Sequence, residues 1–377
     1  MKEIKMIAFY LPQFHSIPEN DNAYGKGFTE WTNVKKAKPL FDGHNQPRIP
    51  LDKNYYNLLN VDVMKRQCEL AKKYGVYGFC YYHYWFKGGK KLLEKPIELM
   101  LEDKSIDMPF CLCWANENWT KKWDGGNNEL IVSQDYGDYN DIVAHVTYLK
   151  KFFQDDRYIK IDEKPLLIIY KPELIPHLRK YIARIRKEAI SQGIGEIVIA
   201  CQYPKFYIEG VNLDLFDFYI QFQPRFVKEY ELDESKSAFE KTSKKILISI
   251  GLRNVAKKVR SIISRKKVTE GRILEKRSYD KDWRSIIDYK VNDKKLIAGS
   301  FVDWDNTARN VNGLVYLGAS PVKFRKYMDL LKQKVENEYS EKMIFINAWN
   351  EWAEGAYLEP DEKNKYGYLD ALKSIFD

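Results

Sequence analysis

Strand-like segments alternate with helical patterns along the whole chain, and this alternation constrains the fold most. Residues rich in β-branched and aromatic side chains predict eight strands, at 4–10, 76–82, 109–114, 165–170, 196–202, 216–221, 295–302 and 343–349. Apolar residues at helical spacing predict helices at 61–74, 92–101, 139–153, 178–191 and 322–339. Several strand segments are continuously apolar, which is typical of a parallel sheet that is buried on both faces.

Eight strands alternating with helices in 377 residues predict an α/β fold, a (β/α)8 TIM barrel that forms a single domain over residues 1–377. The alternative is a doubly wound open sheet, but no Gly-x-Gly-x-x-Gly or Walker-type loop follows the first strand. Two loops are longer than a barrel needs: residues 11–60 after the first strand, and the insertion 222–290 between strands six and seven. Loops this long in a compact domain are usually functional or mobile.

The net charge of +9 is concentrated in the insertion, where residues 244–267 contain nine Lys or Arg and no acidic residue. The remainder is formally neutral, so the sequence does not predict binding to nucleic acid. Apolar residues at roughly helical spacing predict a basic amphipathic helix, packed on the barrel or lying on an anionic membrane. The second reading is a hypothesis of peripheral contact, at the inner membrane face, with the anionic membrane or with the lipid-linked glycans made there. Liposome co-sedimentation that is unchanged by deleting the segment would contradict it.

Apolar runs, the N-terminal residues and the cysteines indicate where in the cell the protein is located. No apolar run approaches the roughly 20 residues that a membrane span requires. The N-terminal apolar stretch lacks the length and the cleavage site of a signal peptide. Five cysteines, an odd number without metal-site spacing, argue against a disulfide framework. We therefore expect a protein of the reducing cytoplasm.

The predicted strand ends carry most of the chemistry. A barrel places its active site where its strands end, and aromatic residues make up 15% of this chain, with 27 Tyr and 9 Trp. Rings mixed with amides and carboxylates suit a sugar, whose C–H face packs on a ring while its hydroxyls need directed partners. The alternative is that these rings only fill the barrel and helix layers. The candidate substrate-binding residues are Tyr10, Gln13, His15, Glu30, Trp31, His83, Tyr84, Trp85, Trp114, Asn116, Glu117, Trp119, Gln202, Gln221, Asp303, Trp304, Asn347, Trp349, Asn350 and Trp352.

Two carboxylates follow the last strand in residues 349–355 (WNEWAEG), and they are the candidate catalytic residues Glu351 and Glu354. Glycoside cleavage requires one acid for the leaving oxygen and a second carboxylate for the nucleophile. A helical turn would put residues three apart on one side. The alternatives are a solvated helix face, or a role for the carboxylates of Glu117, Asp303 and Asp305 on neighbouring strand ends.

Other chemistries have weaker support. His15 and His83 each lack a second ligand at the i+2 or i+4 position, so no metal site and no cofactor is predicted. No Gly-x-Ser-x-Gly elbow is present, and no cysteine has an evident base. Asp303 and Asp305 fit the Asp-x-Asp metal motif of a nucleotide-sugar transferase, although the same run suits sugar hydroxyls.

Four segments together resemble one family: residues 9–15 (FYLPQFH), 27–34 (GFTEWTNV), 114–119 (WANENW) and 350–355 (NEWAEG). They are similar to the WbsX family of glycoside hydrolase family 99-like proteins, which are often encoded with polysaccharide and O-antigen (lipopolysaccharide) biosynthesis functions. The likeness runs from the first strand to the last. It implies a bacterial (β/α)8 barrel that requires no metal and acts on an oligosaccharide or polysaccharide.

The resemblance also implies residue roles. In family 99 endo-mannosidases a Glu-Trp-x-Glu segment catalyses cleavage with retention. By position, Glu351 would be the base for the 2-hydroxyl of the sugar, giving a 1,2-anhydro intermediate, and Glu354 would be the acid/base. Ala353 stands where family 99 enzymes usually have His, a departure that concerns the sugar contacts. We expect Glu351 to stay ionised and Glu354 to have a raised pKa in a Trp-lined pocket.

The sequence thus predicts a retaining, endo-acting glycoside hydrolase for an α-linked, mannoside-like bacterial glycan. Two alternatives stay open. One is a glycosyltransferase of O-antigen or capsular polysaccharide biosynthesis that uses a sugar-nucleotide or lipid-linked donor. The other is a catalytically inactive barrel that binds a glycan.

Overall fold

A computed structural model describes residues 3–121, 129–203, 211–234 and 274–376. Each barrel strand pairs in parallel with the next, and the last pairs with the first, so the barrel is closed. The predicted (β/α)8 barrel is confirmed, and the alternative of an open sheet is wrong. The strands are β1 Lys5–Tyr10, β2 Gly78–Trp85, β3 Phe110–Trp114, β4 Lys164–Ile169, β5 Val198–Tyr203, β6 Phe218–Gln221, β7 Leu296–Phe301 and β8 Met343–Asn347.

Helices surround this barrel: α1 Pro18–Tyr24, α2 Glu30–Lys36, α3 Val61–Lys73, α4 Lys95–Glu102, α5 Tyr139–Phe153, α6 Leu178–Ser191, α7 Arg225–Glu234, α8 Tyr279–Asp288, α9 Pro321–Glu338 and α10 Gly367–Phe376. Helix α3 packs on α4, α5 packs on α6, and α9 packs on both α8 and α10. The observed first and last residues of α5 and α6 are the predicted ones. The predicted start at residue 92 is wrong for α4, because Leu93 has a left-handed φ of 57° and Pro96 favours the first helical turn.

The long loop after β1 contains α1, α2 and a 3-10 turn at Leu51–Lys53. Short strand pairs stiffen other loops, for example Trp119–Thr120 with Leu130–Val132. The insertion contributes α7, the strand Glu275–Ser278 and α8. The predicted basic helix at 244–267 lies outside the described residues, so its contact with a membrane stays a prediction.

No helix in the described part of the chain is both long and apolar enough to cross a membrane. The five cysteines are all buried and have free thiols, so none forms the disulfide framework that the sequence argued against.

Strand β2 runs three residues further than predicted, to Trp85, and all eight of its residues are buried. His83 and Trp85 therefore belong to the strand and not to the loop after it. Because side chains alternate along a strand, these two face the helix layer while Tyr84 faces the barrel interior.

A buried histidine pair joins β2 to α5. The Nε2 atoms of His83 and His145 lie 3.0 Å apart, and the Trp85 ring stacks on His145 with centroids 4.8 Å apart. Burial, helped by the nearby charge of Lys91, lowers the pKa of His83 to about 3. Burial also lowers the pKa of His145 well below its usual value, with His83 the second cause. Both imidazoles are therefore neutral in the folded protein at neutral pH.

This pair should make stability depend on pH. In the unfolded chain a histidine titrates near pH ~6.5, so below that pH the unfolded state binds more protons than the folded state. Stability is then fully present above pH ~6.5 and falls as the pH drops towards 3. We expect Tm to fall less steeply from pH 7 to pH 4 in His145→Phe than in the wild type, by circular dichroism. His177→Asn, at an exposed left-handed position, is the control; equal slopes in all three proteins would contradict the account.

Candidate active site

A cavity of about 540 Å³ opens where the barrel strands end. Seven predicted site residues line it: Gln13, Tyr84, Glu117, Trp119, Trp304, Glu351 and Glu354. The other lining residues were not predicted from the sequence; they are Leu11, Tyr82, Ala115, Asn118, Thr120, Tyr170, Phe222, Pro224, Arg225, Lys228, Glu229, Asn306, Arg309 and Leu314.

The carboxylate pair lies on one tight turn after β8. Residues Asn350–Glu351 pair antiparallel with Ala356–Tyr357, and Trp352–Glu354 form a single 3-10 turn between them. Side chains at i and i+3 eclipse in a 3-10 turn, so both glutamates reach the same cavity, as their spacing predicts. Gly355 closes the turn at a φ of 63°, where a Cβ atom would lie 2.9 Å from the backbone nitrogen of Asp305. Only glycine fits this position without strain.

Trp352 and Asn350 hold this turn from behind and do not line the cavity. The indole nitrogen of Trp352 donates to Oε2 of Glu359 at 2.6 Å, and its ring stacks on Tyr357 with centroids 3.8 Å apart. The Asn350 amide bonds to both the nitrogen and the carbonyl of Leu11, at 2.7 and 3.0 Å. The last strand is thereby tied to the first, which fixes where the two glutamates point.

Arg309, in the loop after β7, connects three carboxylates. Its Nη1 donates to Oε1 of Glu354 at 2.6 Å, and its Nη2 donates to Oε1 of Glu30 at 2.6 Å and to Oε2 of Glu351 at 3.3 Å. Oε1 of Glu30 also accepts from the nitrogen of Ala353 at 3.2 Å. Glu30 therefore positions the arginine and the turn and does not line the cavity. A single arginine in a loop gives no pattern from which the sequence could have identified it.

Burial is the main electrostatic effect on the pair. It raises the pKa of Glu351 well above its usual value; the charge of Glu354 adds to this, and Arg309 opposes it. Burial also raises the pKa of Glu354, again against Arg309. The pair therefore retains a proton more readily than exposed carboxylates do, and it titrates as a unit.

The predicted direction for Glu354 agrees with the structure, but the expectation that Glu351 stays ionised does not. Glu351 is the less exposed side chain, at 8% against 22% for Glu354, and its contact with Arg309 is longer by 0.7 Å (3.3 against 2.6 Å). In the free site the proton therefore resides preferentially on Glu351.

Aromatic and polar groups form the walls. The Tyr84 hydroxyl accepts from Nε2 of Gln13 at 3.1 Å, and the Trp119 ring packs edge-on to Tyr84 with centroids 5.0 Å apart. Tyr82 and Tyr170 meet edge-on with centroids 6.2 Å apart. These walls offer aromatic ring faces for the C–H face of a pyranose and hydrogen-bond donors for its hydroxyls.

Several predicted residues face the helix layer instead, and for them the predicted position at the cavity is corrected. The reason is strand alternation, whose phase the sequence alone left undetermined. Tyr10 donates to Oε1 of Gln67 at 2.6 Å, Gln221 accepts from Tyr339 at 2.8 Å, Trp349 packs on Phe79 at 5.1 Å, and His83, Trp85 and Trp114 surround His145.

Other predicted residues hold loops or the barrel interior. In the loops, Nδ1 of His15 lies 3.1 Å from the Ser16 carbonyl oxygen, and the indole nitrogen of Trp31 donates to the Tyr56 carbonyl at 2.8 Å. The side-chain amide of Asn116 bonds to both the backbone nitrogen and the carbonyl of Lys171, each at 2.7 Å. In the barrel interior, Nε2 of Gln202 lies 3.4 Å from the Tyr82 hydroxyl, and the Asn347 amide donates to the Gln223 carbonyl at 3.1 Å. None of these five lines the cavity. These five residues bond to the backbone and to neighbouring side chains, and their predicted contact with a substrate stays a prediction.

Asp303 and Asp305 also lie outside the cavity lining. Nη2 of Arg48 donates to Oδ2 of Asp303 at 2.9 Å, while Oδ2 of Asp305 accepts from Gln46 at 2.8 Å and contacts His44 at 2.9 Å. The predicted placement of Asp303 at the substrate is therefore corrected, since protein donors already occupy both carboxylates. Among the residues that the structure describes, no group of three His, Cys, Asp or Glu could hold a metal ion.

Comparison with known proteins identifies the family. Residues 6–372 match the family model described as "Glycosyltransferase WbsX". The chain belongs to the WbsX family. Two proteins named WxcX, from two strains of Xanthomonas campestris pv. campestris, are 38% identical to it over 379 residues. The alignment covers 98% of this chain and 49% of theirs, so the chain spans about half the length of these relatives.

Solved structures share the barrel of this WbsX-family chain. A GH99 endo-α-mannosidase from Bacteroides thetaiotaomicron superposes with a TM-score of 0.53 at 13% identity, covering 98% of this chain and 96% of the mannosidase. A "glycoside hydrolase-like protein" gives a TM-score of 0.55 at 13% identity, covering 100% and 95%. At such low identity the likeness establishes the fold alone.

Proposed function

We propose that this WbsX-family protein is a retaining, endo-acting enzyme that cleaves an α-linked, mannoside-like glycan with Glu351 and Glu354. The observation that carries the proposal is the placement of both carboxylates on one turn, bonded to Arg309 and facing a cavity with aromatic walls. The WbsX family and the barrel support the broader class of carbohydrate-active enzymes.

In the proposed first step, Glu351 takes the proton of the sugar 2-hydroxyl while that oxygen attacks the anomeric carbon. The bond to the leaving oxygen breaks, and Glu354 gives its proton to that oxygen. Water then attacks the anomeric carbon with Glu354 as base, and the 2-oxygen recovers its proton from Glu351. Two inversions give net retention, and this route does not need the roughly 5 Å carboxylate separation of a conventional retaining pair.

This chemistry requires the proton on Glu354, whereas the free site favours it on Glu351. Substrate binding supplies the change, because a 2-hydroxyl that donates to Glu351 stabilises its ionised form. The leaving oxygen, which accepts a hydrogen bond, stabilises the protonated form of Glu354. The pair thus reaches its reactive protonation state only around a correctly placed sugar.

The reaction can be tested with defined α-mannose oligosaccharides, followed by proton NMR from the first turnover. We expect internal cleavage with the α-anomer as the first product. A β-anomer as the first product would contradict the proposed route.

A glycosyltransferase is the second candidate, because the matching family model carries that description. Labelled sugar-nucleotide and lipid-linked donors, each incubated with an acceptor glycan, separate it from the hydrolase. Transfer of label without hydrolysis would favour the transferase. Unchanged oligosaccharides that nevertheless bind would favour an inactive binding barrel.

A further inference from the structure

Of the three described cations that line the cavity, two have a carboxylate partner, and so does Lys171 next to the lining residue Glu117. Arg309 is shared by the three glutamates described above. Lys228 donates to Oε2 of Glu275 at 2.6 Å, and Lys171 pairs with Glu117. The protein itself balances these three charges.

Arg225 differs from them. It lines the same cavity as the first residue of α7, and its side chain is exposed. Within the described chain its guanidinium forms no hydrogen bond and no ion pair, even though Glu229 and Glu354 line the cavity too. Its charge nevertheless acts on the site. Burial raises the pKa of Glu354 and of Tyr170, and the positive charge of Arg225 opposes both increases.

The start of α7 leaves this guanidinium as the available donor. The nitrogen of Phe226 donates to the carbonyl of Phe222 at 2.8 Å, and the nitrogen of Val227 donates to Oε1 of Gln223 at 3.1 Å. The amides of Phe226 and Val227 are therefore occupied, and a ligand in the cavity would meet the side chain of Arg225.

We propose that Arg225 binds an oxyanion carried by the substrate, either the carboxylate of an acidic sugar or the phosphate of a sugar phosphate. A planar guanidinium matches both groups with two parallel hydrogen bonds. Because the exposed guanidinium has no carboxylate partner in the described chain, an anionic substituent on the sugar would supply an ion pair that a neutral glycan cannot. The inference rests on the proposed function only in that the ligand is a sugar.

Binding to the full chain tests this with three probes at about 0.15 M salt: methyl α-mannopyranoside, methyl α-mannopyranosiduronate and α-mannose 1-phosphate. Calorimetric titration should show tighter binding of at least one anionic probe than of the neutral one. A preference for the uronate identifies an acidic glycan as the source, and a preference for the phosphate identifies a sugar phosphate.

Variants then assign the preference to one residue. Arg225→Gln should reduce the ratio of anionic to neutral affinity by about ten- to a hundredfold, the usual range for a charged hydrogen bond, and Arg225→Lys should lose less. Arg325→Gln, which removes one exposed charge from α9, should keep the wild-type ratio.

Three results would overturn the inference. They are no preference of the wild type for either anion, an unchanged ratio in Arg225→Gln, and an equal loss in Arg325→Gln. Because binding is read without turnover, inactivity of the protein towards glycosides would sink the proposed function and leave this inference standing.

Discussion

Glu354→Gln should lower kcat for cleavage of an unactivated α-mannoside by about a thousandfold or more, and Glu351→Gln should do the same. General acid or base groups typically contribute about 10²- to 10⁴-fold each, and here each carboxylate acts in both steps. Glutamine keeps the volume and an oxygen for Arg309, so the turn should keep its shape. Glu336→Gln, at an exposed site on α9, is the matched control and should retain full activity.

An activated leaving group separates the two roles. A dinitrophenyl α-mannoside needs no acid for departure, so the first step in Glu354→Gln should recover most of its rate. Glu351→Gln should stay slow, because the 2-hydroxyl still lacks its base. Near-normal turnover in either variant with the unactivated substrate, at unchanged Tm, would remove the assignment of catalysis to this pair.

Arg309→Met should destabilise the fold by about 3–5 kcal/mol, the usual loss when a buried ion pair loses one partner. Glu30 is fully buried, and without the guanidinium it would face Glu351 and Glu354 uncompensated. The control Lys72→Met breaks an exposed pair with Asp107 and should cost about 1 kcal/mol or less. Urea unfolding at pH 7 measures both.

The pH dependence of that loss gives a second check. Arg309 opposes the rise in pKa that burial gives Glu351 and Glu354, so without it the folded-state pKa values of these two would be raised further above those of the unfolded chain. The folded variant would then bind more protons than the unfolded one, so its stability should fall as the pH rises from about 4 towards 7. The double variant Arg309→Met/Glu30→Gln should recover part of the loss. A loss that is the same at both pH values and in both variants would contradict this account.

Local patterns were sufficient for the fold. Periodicity placed all eight strands and five helices, because strands buried on both faces and amphipathic helices carry short-range signals. The end of β2 was missed because the residues FCYYHYW suit both a buried strand and an aromatic loop. Because of that error, His83 and Trp85 were predicted to bind substrate, whereas in the structure they pack against α5.

The site was predicted only where its signal is local. Glu351 and Glu354 are three residues apart, so one turn decides their geometry. The contact of Arg309 with Glu30 joins residues 279 positions apart, and that of Arg48 with Asp303 joins residues 255 positions apart. Such contacts depend on how loops from different strands meet, which no spacing in a single sequence reveals.

The proposed function requires that Glu351 and Glu354 act together on one sugar in this cavity. The most direct test is a crystal structure of the protein soaked with an α-manno-configured iminosugar. We predict that the ring lies in the cavity, with its 2-hydroxyl at Glu351 and its anomeric position beside Glu354. An iminosugar that binds elsewhere, or that binds in the cavity with neither glutamate within hydrogen-bond distance, would contradict the account.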